Sequence, residues 1–397
     1  MPYSLLEAKP IEELCKVVDC EHKTAPYVDE SDYLVVRTSN VRDGQLVMES
    51  MKYTTLEGYN EWTSRAVPEY GDVLFTREAP AGESCLVPSD TKVCMGQRMV
   101  MLRPHKSEVD PVFLSMILNT ERTKNDIYRL SIGSTVSRIN IADIRKLKVA
   151  SPPLPEQQKI AKILSTWDKA ISTTERLIEN STQQKKALMQ QLLTGKKRLL
   201  DESGKRFEGE WEEVKLKECA NSLDNLRVPI NSEQRQEMSG HTPYWGANGI
   251  VGYINDYIFN ETIVLLAEDG GYFDEFASRP IANISYGKSW VNNHAHVLTA
   301  KDNTINEWLY YSLVNKNILA FINGGTRAKL NKSDMFLIPI LIPPLKEQQK
   351  IVTVLTNADK EIELLEQQLA DLQQEKKALM QVLLTGKVRV LVDGKVA

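Results

Sequence analysis

The sequence predicts an α+β chain in which two dissimilar domains are each followed by a long helix of one repeated kind. Three observations carry this. A segment returns without a gap 191 residues later, a narrow apolar stripe runs along both copies, and similarity nearly vanishes upstream of them.

The repeat is explicit. P-P-L-P-E-Q-Q-K-I at Pro152 to Ile160 returns as P-P-L-K-E-Q-Q-K-I at Pro343 to Ile351, and K-K-A-L-M-Q-Q-L-L-T-G at Lys185 to Gly195 returns as K-K-A-L-M-Q-V-L-L-T-G at Lys376 to Gly386. From Pro152 to Gly195, 24 of 44 positions are identical to the second copy, which marks a duplication rather than a shared composition. Upstream the same offset aligns Gly133-Ser134-Thr135 with Gly324-Gly325-Thr326, and Asp72-Val73-Leu74-Phe75 with Ile263-Val264-Leu265-Leu266. At the front, Ile11-Glu12-Glu13-Leu14 loosely echoes Trp211-Glu212-Glu213-Val214, an alignment that makes the second domain about nine residues shorter. The boundaries expected are a first domain at 1–151, a central helix at 152–200, a second domain at 201–342, and a last helix with its tail at 343–397.

Each repeated segment reads as one uninterrupted helix. Proline in the lead-in (Pro155; Pro343-Pro344), glutamate in the first turn and a terminal Thr-Gly supply start and stop chemistry. In the second copy Ile351, Leu355, Ala358, Ile362, Leu365, Leu369, Leu372, Leu379 and Leu383 keep a 3-4 spacing interrupted only at Lys376, the pattern of a coiled-coil seam. The first copy carries Ile160, Leu164, Trp167, Ile171, Thr174, Ile178, Ser181, Leu188 and Leu192. Because Thr174 and Ser181 stand where the second copy has leucine, the first helix is expected to pair with the second and not with its own copy in another chain. About 40 residues rising 1.5 Å each make a rod of roughly 60 Å.

A chain of 397 residues is long enough for two or three cores, and a formal net charge of -4 leaves a nucleic-acid partner open, since phosphate contact depends on local basic patches. No apolar run approaches the roughly 18 residues of a membrane span. The N-terminus shows no secretory pattern, so a cytoplasmic protein is expected. Five scattered cysteines without C-x-x-C spacing suit reduced thiols packed in cores. Catalytic motifs are lacking: there is no N-P-P-Y-type loop of an adenine methyltransferase, no P-loop, and no nucleophile elbow. Gly246 to Gly252 has G-x-x-G-x-x-G spacing and reads as a turn between strands. His294 and His296 lack a third ligand, so no metal site is expected.

Residues suited to DNA are gathered in two places. The aligned G-[SG]-T-x-x-[RK]-[IL]-N segments supply Ser134, Thr135, Ser137, Arg138 and Asn140 in one half and Thr326, Arg327, Lys329 and Asn331 in the other, in a turn before each rod. Hydroxyl, basic and amide groups there fit phosphates and base edges, and a plain turn fits equally. The second domain adds Tyr244, Trp245, Asn248, Tyr272, Lys288 and Asn292, groups that read or stack on bases but that pack in cores as readily, and Arg77 completes the candidate set.

With these motifs in hand, the chain resembles the specificity subunits of type I restriction-modification systems over nearly its whole length. The resemblance rests on P-P-x-x-E-Q-x-x-I leading into each helix, L-L-T-G-K near its end, Y-W-G-A-N-G-I-V-G-Y at Tyr244 to Tyr253 and V-N-N-H-A-H-V-L at Val291 to Leu298. It implies two mixed α/β target-recognition domains separated by an antiparallel coiled coil with approximate two-fold symmetry. It further implies a non-catalytic subunit that reads a bipartite, asymmetric target in double-stranded DNA. Two adenine-N6 methyltransferase subunits and translocase-nuclease subunits would be its partners; they, not this chain, would use S-adenosylmethionine, ATP and Mg. The alternative is a coiled-coil spacer carrying two protein- or glycan-binding modules.

Overall fold

The computed structural model describes residues 6–133, 137–324, 328–392 and 395–396. It divides into two units, Met1–Glu175 with Gln368–Ala397, and Arg176–Gln367. Each repeated segment forms a helix of 39 residues, Leu154–Leu192 and Leu345–Leu383, and each helix is divided between the units.

The two units share one plan. In the first, the strands Cys15–Asp19, Met99–Pro104, Val73–Thr76 and Ser84–Leu86 form a four-stranded sheet in that order; in the second, Ala220–Ser222, Ala295–Ala300, Ile263–Ala267 and Ala282–Ser285 do the same. Val73–Thr76 and Ile263–Ala267 are buried at every position, which is why both read as apolar runs rather than as alternating ones. A second sheet in each unit contains a parallel pairing, Tyr33–Val36 with Lys92–Met95 and Ser239–Gly246 with Lys288–Val291. The turn expected within Gly246 to Gly252 is made at Ala247-Asn248, where Gly246 pairs with Gly249; Gly249 takes φ +125°, a conformation that glycine adopts without a Cβ clash, and opens the strand Gly249–Ile254.

The front of the second domain departs from the sequence alignment. Ile11–Leu14 is a one-turn helix, and its counterpart is Leu216–Cys219, not Trp211 to Val214; both follow a short strand that pairs with the one leading to the rod. The offset there is 205 against 191 at the rods, so the second domain is 14 residues shorter rather than nine. The Glu-Glu pair common to the two segments had aligned a helix with a strand.

Within each unit the two long helices run antiparallel. In the first, Asp168 pairs with Lys376 and Glu156 with Arg389; in the second, Asp359 pairs with Lys185 and Glu347 with Arg198. Each pair is the other's image at the 191 offset, so the lysine that interrupts the seam meets an aspartate of the opposite helix. The seam residues Ile160, Leu164, Trp167, Ile171, Ile178, Leu188 and Leu192, and Ile351, Leu355, Ile362, Leu365, Leu369, Leu372, Leu379 and Leu383, are all buried or half-buried. Thr174 is buried with its hydroxyl satisfied by the Ala170 carbonyl, and Ser181 donates to Glu361, so the polar seam positions are accommodated by pairing of the two helices of this chain.

The Glu-Gln of each P-P-x-x-E-Q-x-x-I segment explains the repeat's spelling. Glu156 and Glu347 are almost wholly buried, and each receives a two-pronged arginine contact from just beyond the other helix's end. Gln157 and Gln348 turn back to the Pro152 and Pro343 carbonyls and to backbone of the adjoining domain. Gly195 (φ +69°) and Gly386 (φ +72°) end the helices in the left-handed region. All five cysteines are buried, and burial pushes the Cys85 and Cys94 thiols up to about 12, as expected for core packing.

Candidate nucleic-acid interface

The two G-[SG]-T segments occupy equivalent places. In the first unit Arg138 bridges Ile132 and Glu78; in the second Lys329 bridges Asn323 and Asp269. The chain thus lies against the second residue beyond the strands Val73–Thr76 and Ile263–Ala267. Two further bonds seat it, Ile139 N donating to the Arg77 carbonyl at 3.0 Å and Leu330 N to the Glu268 carbonyl at 2.7 Å. Asn140 and Asn331 precede the short helices Ile141–Lys146 and Lys332–Met335, their amides donating to Asp143 and Asp334 at 3.2 and 3.3 Å. Ser134, Thr135, Thr326 and Arg327 lie outside the described residues. Ser137 is half-buried, and its hydroxyl accepts from the Ala81 amide.

A polar cluster lies beneath each of these loops. In the first unit Glu78 sits between Arg98 and Arg138, with Nε–carboxylate distances of 3.2 and 3.3 Å, and Asp19 pairs with Arg77 and His22. In the second, Asp269 meets His294 at 2.5 Å, Glu268 meets Lys329 at 3.1 Å and Arg227 at 2.6 Å, and Asp224 meets His296 at 2.8 Å. Burial works to raise the Asp224 carboxyl, but the hydrogen bond and charge of His296, the Val297 amide and Arg227 outweigh it and hold it below the usual carboxylate range. His294 and His296 are thus engaged with carboxylates, and the Leu330 carbonyl takes the other ring nitrogen of His296.

Strand register shows that these clusters correspond. Thr76 opposes Met99 and Ala267 opposes Ala295, so Arg98 and His294 take the same place one residue before their strands. Asp19 and His22 correspond to Asp224 and Arg227 at the 205 offset, and Arg77 and Glu78 to Glu268 and Asp269 at 191. Glu78, Arg98, Asp224, Arg227 and Asp269 were missed by motif reading. An acidic residue at both 78 and 269 and a basic one at both 138 and 329 were visible at the 191 offset, but Arg98 and His294 follow an offset of 196.

Several candidates are placed elsewhere. Arg77 is buried and paired with Asp19, which corrects a role at the surface. Tyr244 is 3% exposed, packed with Ile254 and Trp290 beneath the Arg235 guanidinium, and is a core residue rather than a stacking platform. Asn292 is buried and receives the His294 amide, while half-buried Trp245 donates its indole N–H to Ser285. Asn248 is tied to the Gly270 carbonyl. Tyr272 lies under the Arg279 guanidinium, and Lys288 is exposed with its ammonium 4.6 Å from the Tyr257 ring centroid. Of this group, Asn248 and Lys288 are exposed.

Residues 4–181 and 208–374 match the family described as the type I restriction modification DNA specificity domain. The chain is 43% identical over 150 residues, 37% of each chain, to a Haemophilus influenzae protein provisionally named type I restriction enzyme specificity subunit S.HindORF215P. It is 27% identical over 406 residues, 97% of this chain and 94% of the other, to a Methanocaldococcus jannaschii protein provisionally named type I restriction enzyme MjaX specificity subunit. Its fold is similar to the crystal structure of the S subunit of a type I restriction-modification system from M. genitalium, with a TM-score of 0.62 at 16% identity and 96% of both chains covered. Among the described residues, no helix is long and apolar enough to cross a membrane.

Proposed function

We propose a DNA-addressing function from one premise: this chain belongs to the type I restriction-modification DNA specificity family. Each of its two domains reads one half of a split, asymmetric target in double-stranded DNA. The observation that carries this is the repeated seat of the two loops, the same backbone frame holding different side chains at equivalent positions. A frame that keeps position and changes chemistry is what two readers of different base sequences require.

The chain itself performs no bond chemistry in this reading. Arg138, Asn140, Lys329 and Asn331 contact phosphates and base edges, and the paired helices hold methyltransferase subunits. Two such subunits flip an adenine in each half-site and methylate N6 with S-adenosylmethionine. Translocase-nuclease subunits, using ATP and Mg, complete the restriction assembly. Expression of this chain with its methyltransferase in a host lacking adenine methylation, followed by genome-wide mapping of N6-methyladenine, tests the proposal. A single bipartite motif, absent when either protein is omitted, is expected; methylation by the chain alone, or with no motif, overturns it.

A further inference from the structure

The arginines beside Glu78 are unusual in how they are held. Arg98 and Arg138 are each more than half exposed, while the Glu78 side chain is only 20% exposed. Each guanidinium forms an ion pair with the carboxylate in which Nε lies 3.2 or 3.3 Å from an oxygen, and among the described residues neither arginine side chain makes a hydrogen bond. A guanidinium carries five N–H donors in a rigid fork. Engaging the Nε edge leaves the Nη edge available for the two-point contact that an arginine makes with a guanine edge or a phosphate. The second unit repeats the arrangement with other residues. Asp269 holds His294 at the place of Arg98, and Lys329, at the place of Arg138, is tied to the adjacent Glu268.

From this geometry we infer that Glu78, and Asp269 in the second domain, are positioning residues for sequence discrimination: each anchors the basic group beside it in the pose that meets the matched base edge. The inference rests on the DNA-reading function proposed above. A cation free to swing finds a phosphate on any sequence, and that contact carries no sequence information. A cation tethered to a partly buried carboxylate must break an ion pair to do so. Contact made with the tether intact keeps that pair, so the carboxylate disfavours the arbitrary complex more than the matched one.

The test uses the full chain with its methyltransferase, a duplex carrying the mapped motif, and duplexes with one half-site scrambled. Glu78→Gln is expected to tighten binding to the duplex scrambled in the half-site that the first domain reads. Its salt dependence should steepen by about one phosphate contact, and discrimination at that half-site should fall about tenfold. Glu78→Asp, which keeps the carboxylate, should retain most of the discrimination; Asp269→Asn should act on the other half-site. Equal loss of matched and scrambled binding in Glu78→Gln, or no change in either, reduces Glu78 to a support of the fold and overturns the inference. Arg138→Ala and Lys329→Ala separate the two levels. If neither weakens DNA binding, the loops are not readers and the reading beneath the inference fails. If they do weaken it while Glu78→Gln shifts matched and scrambled duplexes alike, only the positioning role fails.

Discussion

The two units carry the same frame and polar fillings that differ in side chain but reverse in charge at one place only, Arg77 against Glu268. Beneath the first loop stand Asp19, His22, Arg77, Glu78, Arg98 and Arg138; at the corresponding places in the second stand Asp224, Arg227, Glu268, Asp269, His294 and Lys329. The second residue after the strands Val73–Thr76 and Ile263–Ala267 stays acidic, while the first changes from arginine to glutamate. Where the first unit has buried Val100, the second has buried His296, which bridges Asp224 to the Leu330 carbonyl. Backbone bridging and strand order therefore determine where groups stand, and the groups themselves are free to diverge provided that each buried charge keeps a partner.

The strongest way to break the comparison is to replace one member. Exchanging residues 1–150 for the first domain of another family member should change one half of the methylated motif completely and leave the other intact. Methylation mapping that shows both halves altered would mean the units do not read independently.

The next largest effect belongs to the repeated Glu–Arg clasps. Arg198→Ala strands Glu347, which is wholly buried and also receives the Trp211 indole N–H, so a loss of about 3–5 kcal/mol in the second unit is expected. Urea unfolding followed by tryptophan fluorescence measures it. Arg389→Ala should cost the first unit a similar amount through Glu156; a much smaller loss in one would show that the clasps are not equivalent.

A more modest effect is expected at the second loop. Replacing Thr326, Arg327 and Lys329 together with alanine should weaken DNA binding and lower the slope of log affinity against log salt by about one to two. Unchanged affinity and slope would leave that segment as a plain turn.

The smallest difference is in acid response. Because the Asp224 carboxyl is lowered in the folded chain, its contribution to stability is fully present above the unfolded carboxyl value of about 4 and is lost as pH falls through the folded value. Thermal unfolding between pH 5 and 3, on the order of the window set by that shift, should show an acid-labile component that Asp224→Asn removes. A pH profile identical in the variant would remove Asp224 from the network's energetics.

The sequence alone determined the repeat, the two helices and their seam. A heptad stripe and its end signals are local patterns whose meaning does not depend on the rest of the fold. The turn at Gly246 to Gly249 was legible for the same reason. The loops before the rods were legible as a position but not as an interface. Tertiary structure decided which side chains gather there, because Glu78 meets Arg98 and Arg138 through strand register, and the matching residues of the second unit follow offsets of 191, 196 and 205. Insertions between strands shift those offsets without moving the strands. Likewise, Tyr244 and Arg77 have the chemistry of DNA contacts, and only packing shows that Tyr244 fills a core and Arg77 neutralises Asp19. Burial and pairing over long chain separations are properties of the folded sheet, set by which strands it brings side by side, and no local pattern encodes them.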